Sequence, residues 1–177
     1  MVKKKTKIDG VFILEPRIFA DERGYFVESY NAKTFLELGI TCQFVQDNEA
    51  KSSSGVIRGL HYQESEFAQA KLVRVTQGRV LDVIVDVRKN SRTYGKCITI
   101  PLSSKNMRQV FIPRGCAHGY SVLSKYAVFV YKCDNYYNPL SERGIHPLDP
   151  TLQIDWKIIP EKRIISQKDL SWPKFSK

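Results

Sequence analysis

The chain has 177 residues, of which 42% are hydrophobic and 11% aromatic, so it can bury one core without metals or disulfides. No run approaches the roughly 20 apolar residues of a membrane span, and the basic opening MVKKKTKIDG lacks the apolar segment of a secretory signal. The formal net charge of +10 suits nucleic acid, a membrane surface or an anionic small molecule, but beyond KKKTK the positive residues are dispersed and no nucleic-acid motif occurs.

These features predict one cytoplasmic domain over residues 1–177 that binds an anionic small molecule, with neither nucleic acid nor a membrane as partner. The four cysteines are widely scattered, with no C-x-x-C pair and no histidine at zinc spacing. We therefore expect Cys42, Cys97, Cys116 and Cys133 to be reduced and mostly buried.

Helix signals are scarce along the chain. Asn31 can cap a short helix through AKTFLEL that ends at Gly39, where a left-handed backbone is favourable. The last stretch, LSWPKFSK, lies close to two prolines and predicts an irregular tail over the fold.

Strand signals dominate the rest of the sequence. In RVLDVIVDVR, Leu81, Val83, Val85 and Val87 share one face while the aspartates share the other, a period-two pattern. Similar short segments are KLVRV, KCITIPL, RQVFIP, GYSVLS and AVFVYKC, with turn signals between them such as Gln77-Gly78, Lys89-Asn90-Ser91 and Pro113-Arg114-Gly115. This spacing predicts an all-β sandwich or barrel.

The segment GVIRGLHYQ places an arginine and a histidine three positions apart in a strand-like run. Strict alternation puts Ile57 and His61 on one face and Arg58 on the other. Gly59 can instead host a bulge that turns Arg58 and His61 toward one cavity. This segment alone does not distinguish a packed core role for His61 from a functional one.

Two further histidines complete the set. His118, in PRGCAHGY, fits either a pocket-lining strand or a turn with a local hydrogen bond, whereas His146, before a proline, fits an exposed turn. The absence of H-x-H and H-x-x-x-H makes a metal site improbable, and the absence of G-x-S-x-G, G-x-G-x-x-G and a P-loop disfavours a serine hydrolase and the usual nucleotide folds. Metal-free acid–base chemistry remains, with His61, Lys71 and Tyr131 as candidates on strands.

The segments DERGYFVESYN, FVQDN, RGLHYQ, AHG and NYY follow one another along nearly the whole chain, and the combination of RGLHYQ with AHG and NYY is highly specific. Together they resemble the dTDP-4-dehydrorhamnose 3,5-epimerase family of nucleotide-sugar epimerases. The resemblance implies an antiparallel cupin-like jelly-roll barrel with a few short helices, a homodimer, and no metal or organic cofactor. It also implies removal and return of the C3 and C5 protons of a nucleoside-diphosphate 4-keto-6-deoxy sugar, which would supply the L-rhamnose precursor of surface polysaccharide.

The same resemblance implies four catalytic residues. His61 corresponds to the base, and Asp169 to the carboxylate that orients it; an anionic partner also makes the neutral imidazole a stronger base. Lys71 corresponds to the cation that faces the enolate oxygen, and Tyr131 to the acid on the opposite side of the sugar.

Eight substrate-binding positions follow from the resemblance in the same way. Arginines suit the diphosphate through forked hydrogen bonds, and Tyr137 corresponds to the residue that stacks on the nucleobase. Part of the DERG region is expected to reach the site of a partner subunit. The eight positions are Arg23, Glu28, Gln46, Asn48, Arg58, His118, Tyr137 and Glu142.

Three segments depart from the family pattern: QDNE has Glu49 where a histidine is usual, PRGCAHGY replaces PxGFAHGF, and GIHP replaces GIRW. We expect these changes to flank the pocket and to leave the epimerase chemistry intact. The leading function is inversion at C3 and C5 of dTDP-4-dehydro-6-deoxy-D-glucose. The alternatives are inversion at one carbon, another nucleotide 4-keto sugar, and a non-catalytic sugar-nucleotide binder.

Overall fold

The computed structural model of the chain describes residues 1–176 and shows a jelly-roll barrel of two antiparallel sheets with a separate two-stranded hairpin. The strands are β1 Val2–Lys5, β2 Phe12–Glu15, β3 Ile18–Asp21, β4 Gly24–Val27, β5 Gln46–Ser53, β6 Ile57–Gln63, β7 Lys71–Gln77, β8 Arg79–Asp86, β9 Cys97–Ser103, β10 Gln109–Ile112, β11 Cys116–Val122, β12 Tyr126–Cys133 and β13 Glu142–Gly144. Their order is β1-β2-β10-β7-β12-β5 in the larger sheet and β13-β6-β11-β8-β9 in the smaller one, and β3 pairs with β4 in the hairpin. The predicted all-β, antiparallel cupin-like fold is confirmed.

Helices are few and short, as predicted. Helix α1, Ala32–Glu37, begins after Asn31, whose side chain accepts hydrogen bonds from two amides of the first turn, and it ends before Gly39 at φ +77°. Helix α2 is Gln167–Leu170, and single 3₁₀ turns occupy Ser65–Phe67, Pro139–Ser141 and Pro160–Lys162. Within residues 1–176, no helix is both long and apolar enough to cross a membrane.

The main core lies between the two sheets. On β8, Val80 and Ile84 belong to this core, whereas Val83 and Val85 pack on the outer side of the smaller sheet against Trp156. The predicted alternation of RVLDVIVDVR is therefore confirmed, but both faces are buried. As a result, an aspartate on the inner face of β8 points into the barrel.

The pairing of β6 with β11 contains the predicted bulge. His61 pairs with His118 and Arg58 with Tyr120, so β6 spans three positions where β11 spans two. Gly59 at the bulge has φ +114°, and a Cβ there would lie 2.6 Å from the Cα of Gly119. The bulge turns Arg58 and His61 toward the same cavity, so the strict alternation that grouped Ile57 with His61 is wrong.

The loop after β8 is organised by one buried carboxylate. Asp86 accepts hydrogen bonds from Arg88 Nε (2.8 Å), Ser91 Oγ (2.6 Å) and Thr93 Oγ1 (2.6 Å). Burial by itself would raise the pKa of Asp86, but these donors outweigh it and lower the pKa to about 2. The predicted turn at Lys89-Asn90-Ser91 is thus fixed by the end of the preceding strand.

This carboxylate predicts a pH-dependent contribution to stability. Because the pKa in the folded protein lies below the usual 3.8, the contribution is present above pH 4 and disappears as the pH falls toward 2. Asp86→Asn should lower the free energy of unfolding at pH 7 by about 2 kcal/mol. Urea unfolding at pH 7, 4 and 3 should show the difference from wild type shrinking with acid. The exposed Asp155→Asn is the control, and an Asp86→Asn deficit as large at pH 3 as at pH 7 would contradict this origin.

The C-terminal segment crosses the outer side of the smaller sheet, as predicted for the stretch LSWPKFSK, whose last residue, Lys177, lies outside the described residues. Ile164 bridges to Val56 in parallel, and further along the indole of Trp172 lies flat on Gly144, where a Cβ would come 2.5 Å from ring atoms. The amide of His146 donates to the carbonyl of Pro173 (2.8 Å). Helix α2 is held between these two attachments.

Candidate active site

A cavity of about 530 Å³ lies between the sheets and is closed on one side by the C-terminal segment. Its wall combines apolar side chains from the core with a concentrated group of polar and charged ones. The polar lining residues are Arg58, His61, Lys71, His118, Tyr120, Tyr131, Ser166, Lys168 and Asp169. The cavity therefore brings together the four predicted catalytic residues.

His61 and Asp169 form a hydrogen-bonded pair on one wall. Nε2 of His61 lies 2.7 Å from Oδ1 of Asp169, and the other carboxylate oxygen accepts the amide N–H of Gly59 (3.2 Å). Ser166 caps α2 by accepting the amide N–H of Asp169. Burial would raise the pKa of Asp169, but the His61 hydrogen bond and charge, with the Gly59 amide, lower it below its usual range. Asp169 is therefore an ionised, fixed partner for the imidazole.

Lys71 and Tyr131 occupy the opposite wall, on neighbouring strands β7 and β12 of the larger sheet. Burial lowers the pKa of Lys71, opposed by the nearby acidic groups Cys133, Asp82 and Glu142. Burial also raises the pKa of Tyr131 to about 12, so its hydroxyl is protonated at neutral pH. A cation and a proton donor thus face the imidazole from across the cavity.

A smaller adjoining cavity of about 100 Å³ shares His61, Lys71 and Tyr131 with the first. Four predicted substrate-binding residues line it: Gln46, Asn48, Tyr137 and Glu142. Glu142 accepts hydrogen bonds from Tyr137 Oη (2.7 Å) and Lys168 Nζ (2.6 Å). Although burial would raise the pKa of Glu142, these two donors lower it below its usual range. Together the two cavities form one continuous polar site.

Arg58 stands at the edge of the main cavity. Its Nε donates to Ser52 Oγ (3.0 Å), and no ion pair with a carboxylate is found for it among residues 1–176. Its guanidinium is therefore available to an anion from outside the chain.

Arg23 and Glu28 lie away from both cavities of the chain. Arg23 pairs with Asp21 (2.5 Å) on the exposed β3–β4 hairpin, and Glu28 accepts a hydrogen bond from the side chain of Asn31 (3.1 Å). The fold of one chain does not bring them to His61, so their predicted role stays a prediction that requires a second copy.

Several residues at the site were not predicted from the sequence, among them Tyr120, Ser166, Lys168 and Asp82. Lys168 lines the cavity and bonds Glu142, but its position depends on the course of the C-terminal segment. Asp82 lies behind His118, with Oδ1 2.7 Å from Nε2 of the imidazole. The sequence could have indicated Asp82, since an aspartate on the inner face of an otherwise apolar strand requires a buried partner.

The three departures from the family pattern fall mostly outside the two cavities of the site. Glu49 pairs with Val130 and lines a separate cavity of about 380 Å³ along the larger sheet, Cys116 is buried in the main core, and His146 accepts the amide N–H of Leu148 (3.1 Å) next to a partly buried turn. Tyr120 is different because it lines the main cavity, stacked on Phe129 at 4.2 Å. The exposed turn predicted for His146 is found in part, because the residue precedes the turn at residues 147–148 and is half-buried, with its amide bonded to the carbonyl of Pro173. The four cysteines are free, as predicted.

The two sheets and the cavity between them define a cupin-like jelly-roll protein, with a histidine–carboxylate pair, a lysine and a tyrosine lining that cavity. In the described part of the chain, no group of three or more histidine, cysteine or acidic side chains is placed to hold a metal ion. The chain belongs to the dTDP-4-dehydrorhamnose 3,5-epimerase family, whose sequence profile matches residues 5–177.

Relatives of known name agree with this assignment. The dTDP-4-dehydrorhamnose 3,5-epimerase of Salmonella typhimurium is 51% identical over 98% of this chain and 94% of its own. The crystal structure of the Elizabethkingia anophelis enzyme of that name superposes with a TM-score of 0.95 at 53% identity, covering 99% and 96% of the two chains. The Legionella pneumophila dTDP-6-deoxy-D-glucose-3,5-epimerase, solved with dTDP-4-keto-L-rhamnose, gives 0.93 at 50% identity, covering 98% and 92%.

Proposed function

We propose that the protein converts dTDP-4-dehydro-6-deoxy-D-glucose to dTDP-4-dehydro-L-rhamnose by inverting C3 and C5. The observation that carries this proposal is the arrangement of the cavity, with the His61–Asp169 pair on one wall and Lys71 and Tyr131 on the other. Inversion needs a base and an acid on opposite faces of the sugar, because one group acting alone returns the proton to the face it came from.

The chemistry begins at the imidazole. The C4 ketone acidifies the hydrogens on both neighbouring carbons. With Nε2 of His61 bonded to Asp169, Nδ1 takes the proton from the carbon, and the C–H electron pair moves into the enolate, leaving negative charge on the C4 oxygen. The ammonium of Lys71 stabilises this oxyanion.

The return of the proton falls to Tyr131. Because burial raises its pKa to about 12, the hydroxyl is a donor at neutral pH and gives its proton to the carbon from the opposite face. The phenolate then regains a proton from water, and His61 releases the one that it took. The same two groups serve the second carbon after the sugar has turned in the cavity.

The adjoining residues hold the nucleotide. Arg58 at the cavity edge pairs with the diphosphate, where a planar guanidinium can bind two oxygens at once. Gln46 and Asn48 bind polar groups of the substrate, and Tyr137, half exposed and tied to Glu142, stacks on the thymine base.

A homodimer completes the site. The β3–β4 hairpin exposes Phe19, Tyr25 and Phe26 by 48%, 61% and 67%, an apolar surface that fits burial against a second copy. In that arrangement Arg23 and Glu28 reach the partner's cavity. A cytoplasmic location is supported by the free thiols of all four cysteines.

The dimer predicts complementation between two inactive variants. Arg23→Ala should damage the site of the partner, and His61→Ala should damage its own. After unfolding and refolding as a mixture, each mixed dimer has one intact site, so about a quarter of the wild-type activity should return. Each variant refolded alone serves as control. A mixture as inactive as its components, with mixed dimers demonstrated by mass spectrometry, would contradict a shared site.

The reaction is tested by the configuration of the product. The purified protein is incubated with dTDP-4-dehydro-6-deoxy-D-glucose, and proton couplings on the sugar ring are read by NMR. Inversion at C3 and C5 is expected. A product inverted at one carbon would select the single-carbon alternative, faster turnover with another nucleotide would reassign the base, and unchanged substrate would contradict an epimerase.

A further inference from the structure

A second imidazole–carboxylate pair lies beside the first. His118 pairs in register with His61 across strands β11 and β6, so the two imidazoles stand at the same level of the barrel. The carboxylate of Asp82, on β8, lies on the far side of His118. Asp82 is fully buried, and His118 is 7% exposed.

The second pair is not explained by stability. A buried carboxylate is expensive to desolvate, and a buried ion pair is often no more stable than apolar residues of the same volume. Only Oδ1 of Asp82 is bonded, and Oδ2 has no hydrogen-bond partner among residues 1–176. Because burial of Asp82 is unfavourable and one of its oxygens is unbonded, a functional role explains this carboxylate better than a packing role.

The geometry fixes which nitrogen of His118 meets the cavity. Nε2 is engaged with Asp82 at 2.7 Å, and the ring is stacked on Phe129 at 5.8 Å. For Nδ1, no hydrogen bond is found in the part of the chain that the structure describes, and His118 lines the main cavity. Burial raises the pKa of Asp82, and the imidazole of His118 and the ammonium of Lys71 oppose that rise, since both favour the carboxylate.

We propose that Asp82 is a positioning residue: its carboxylate accepts the Nε2–H of His118 and so presents the unprotonated Nδ1 to a hydroxyl of the sugar. An ionised carboxylate can only accept, so the proton between the two groups belongs to the imidazole. Nδ1 then accepts a hydrogen bond, which complements Lys71, a group that can only donate. The inference rests on the proposed function, because it identifies the ligand atom with a sugar hydroxyl.

The tautomer can be measured without activity. The chain has three histidines, so ¹⁵N-histidine NMR gives six ring nitrogens, assigned with His118→Gln and His146→Gln. In the wild-type protein the His118 signals should show Nε2 protonated and Nδ1 unprotonated. Asp82→Asn removes the charge that selects this tautomer and should populate the Nδ1–H form. A wild-type His118 with Nε2 unprotonated, or a tautomer unchanged in Asp82→Asn, would overturn the proposal.

Steady-state kinetics provide a second test of the role proposed for Asp82. Asp82→Asn should lower kcat/KM about 10- to 100-fold, the range expected for a mispaired polar contact in a buried site. The same substitution in a His118→Gln background should have little further effect, because Asp82 acts through His118. A loss of full size in that background would overturn the proposal, and matched thermal unfolding of the variants excludes misfolding as its cause. His146→Gln should behave as wild type.

The two proposals fail in distinguishable ways. A wild-type protein that leaves the 4-keto sugar unchanged refutes the proposed function, while the His118 tautomer is read from the ligand-free protein. Conversely, full epimerase activity in Asp82→Asn refutes the positioning role and leaves the function standing.

Discussion

Replacing His61 by Ala is expected to abolish epimerisation while dTDP binding persists. The imidazole is the group placed to take the proton from carbon, and loss of a general base typically lowers the rate about 10²- to 10⁴-fold. The nucleotide contacts proposed for Arg58 and Tyr137 do not involve His61, so calorimetry should give a dTDP affinity close to wild type. Turnover is followed by NMR with the 4-keto sugar.

The matched control for this variant is His146→Ala. His146 has the same side chain but lies in a turn outside the cavities, where it accepts the amide N–H of Leu148. It should keep wild-type turnover. The assignment of His61 as base would be contradicted by a His61→Ala protein that binds dTDP and turns over at an undiminished rate.

Replacing Tyr131 by Phe is expected to separate proton exchange from inversion. The variant keeps the aromatic ring and loses only the hydroxyl, which in the proposed mechanism returns the proton from the opposite face. His61 can still remove a proton and give one back on the same face. In deuterated water the substrate should therefore gain deuterium while product formation falls about 10²- to 10⁴-fold.

Tyr126→Phe is the control, because Tyr126 lies on the same strand, β12, but is 42% exposed and outside the cavity. It should invert the sugar at the wild-type rate. A Tyr131→Phe protein that forms product as fast as wild type would show that water or another side chain supplies the second proton.

The strands were predictable because alternation and turn residues report directly on local structure. KLVRV and AVFVYKC lie within strands, RVLDVIVDVR forms β8 up to Asp86, and Asn31 and Gly39 bounded α1 as their backbone preferences required. Alternation failed at GVIRGLHYQ, where the extra residue at Gly59 shifts the pattern by one position. The bulge could be suspected from the glycine, but its effect on Arg58 depended on pairing with β11.

The site was less accessible to sequence reasoning because its pairs join distant parts of the chain. His61 and Asp169 are separated by 108 positions and meet only when the C-terminal segment crosses the smaller sheet. Periodicity alone did not distinguish a packing role for His61 from a functional one. The family resemblance identified Asp169 as its partner. For His118, the resemblance gave a binding role but not the carboxylate behind it, since Asp82 is on another strand.

The predicted role of Arg23 and Glu28 is not explained by the structure of a single chain. Their side chains are held by neighbours on the exposed hairpin region, so neither sequence pattern nor the fold of one chain connects them to the cavity. The role proposed for them requires contacts between copies, which the complementation of Arg23→Ala with His61→Ala is designed to reveal.

The central claim is proton transfer at both carbons through groups on opposite walls of one cavity. It is tested most directly by incubating the wild-type protein with dTDP-4-dehydro-6-deoxy-D-glucose in deuterated water and following C3 and C5 by NMR. Because the proton returned from Tyr131 exchanges with solvent, both carbons should carry deuterium in the L-configured product. Retention of the original hydrogen at both carbons would contradict the account.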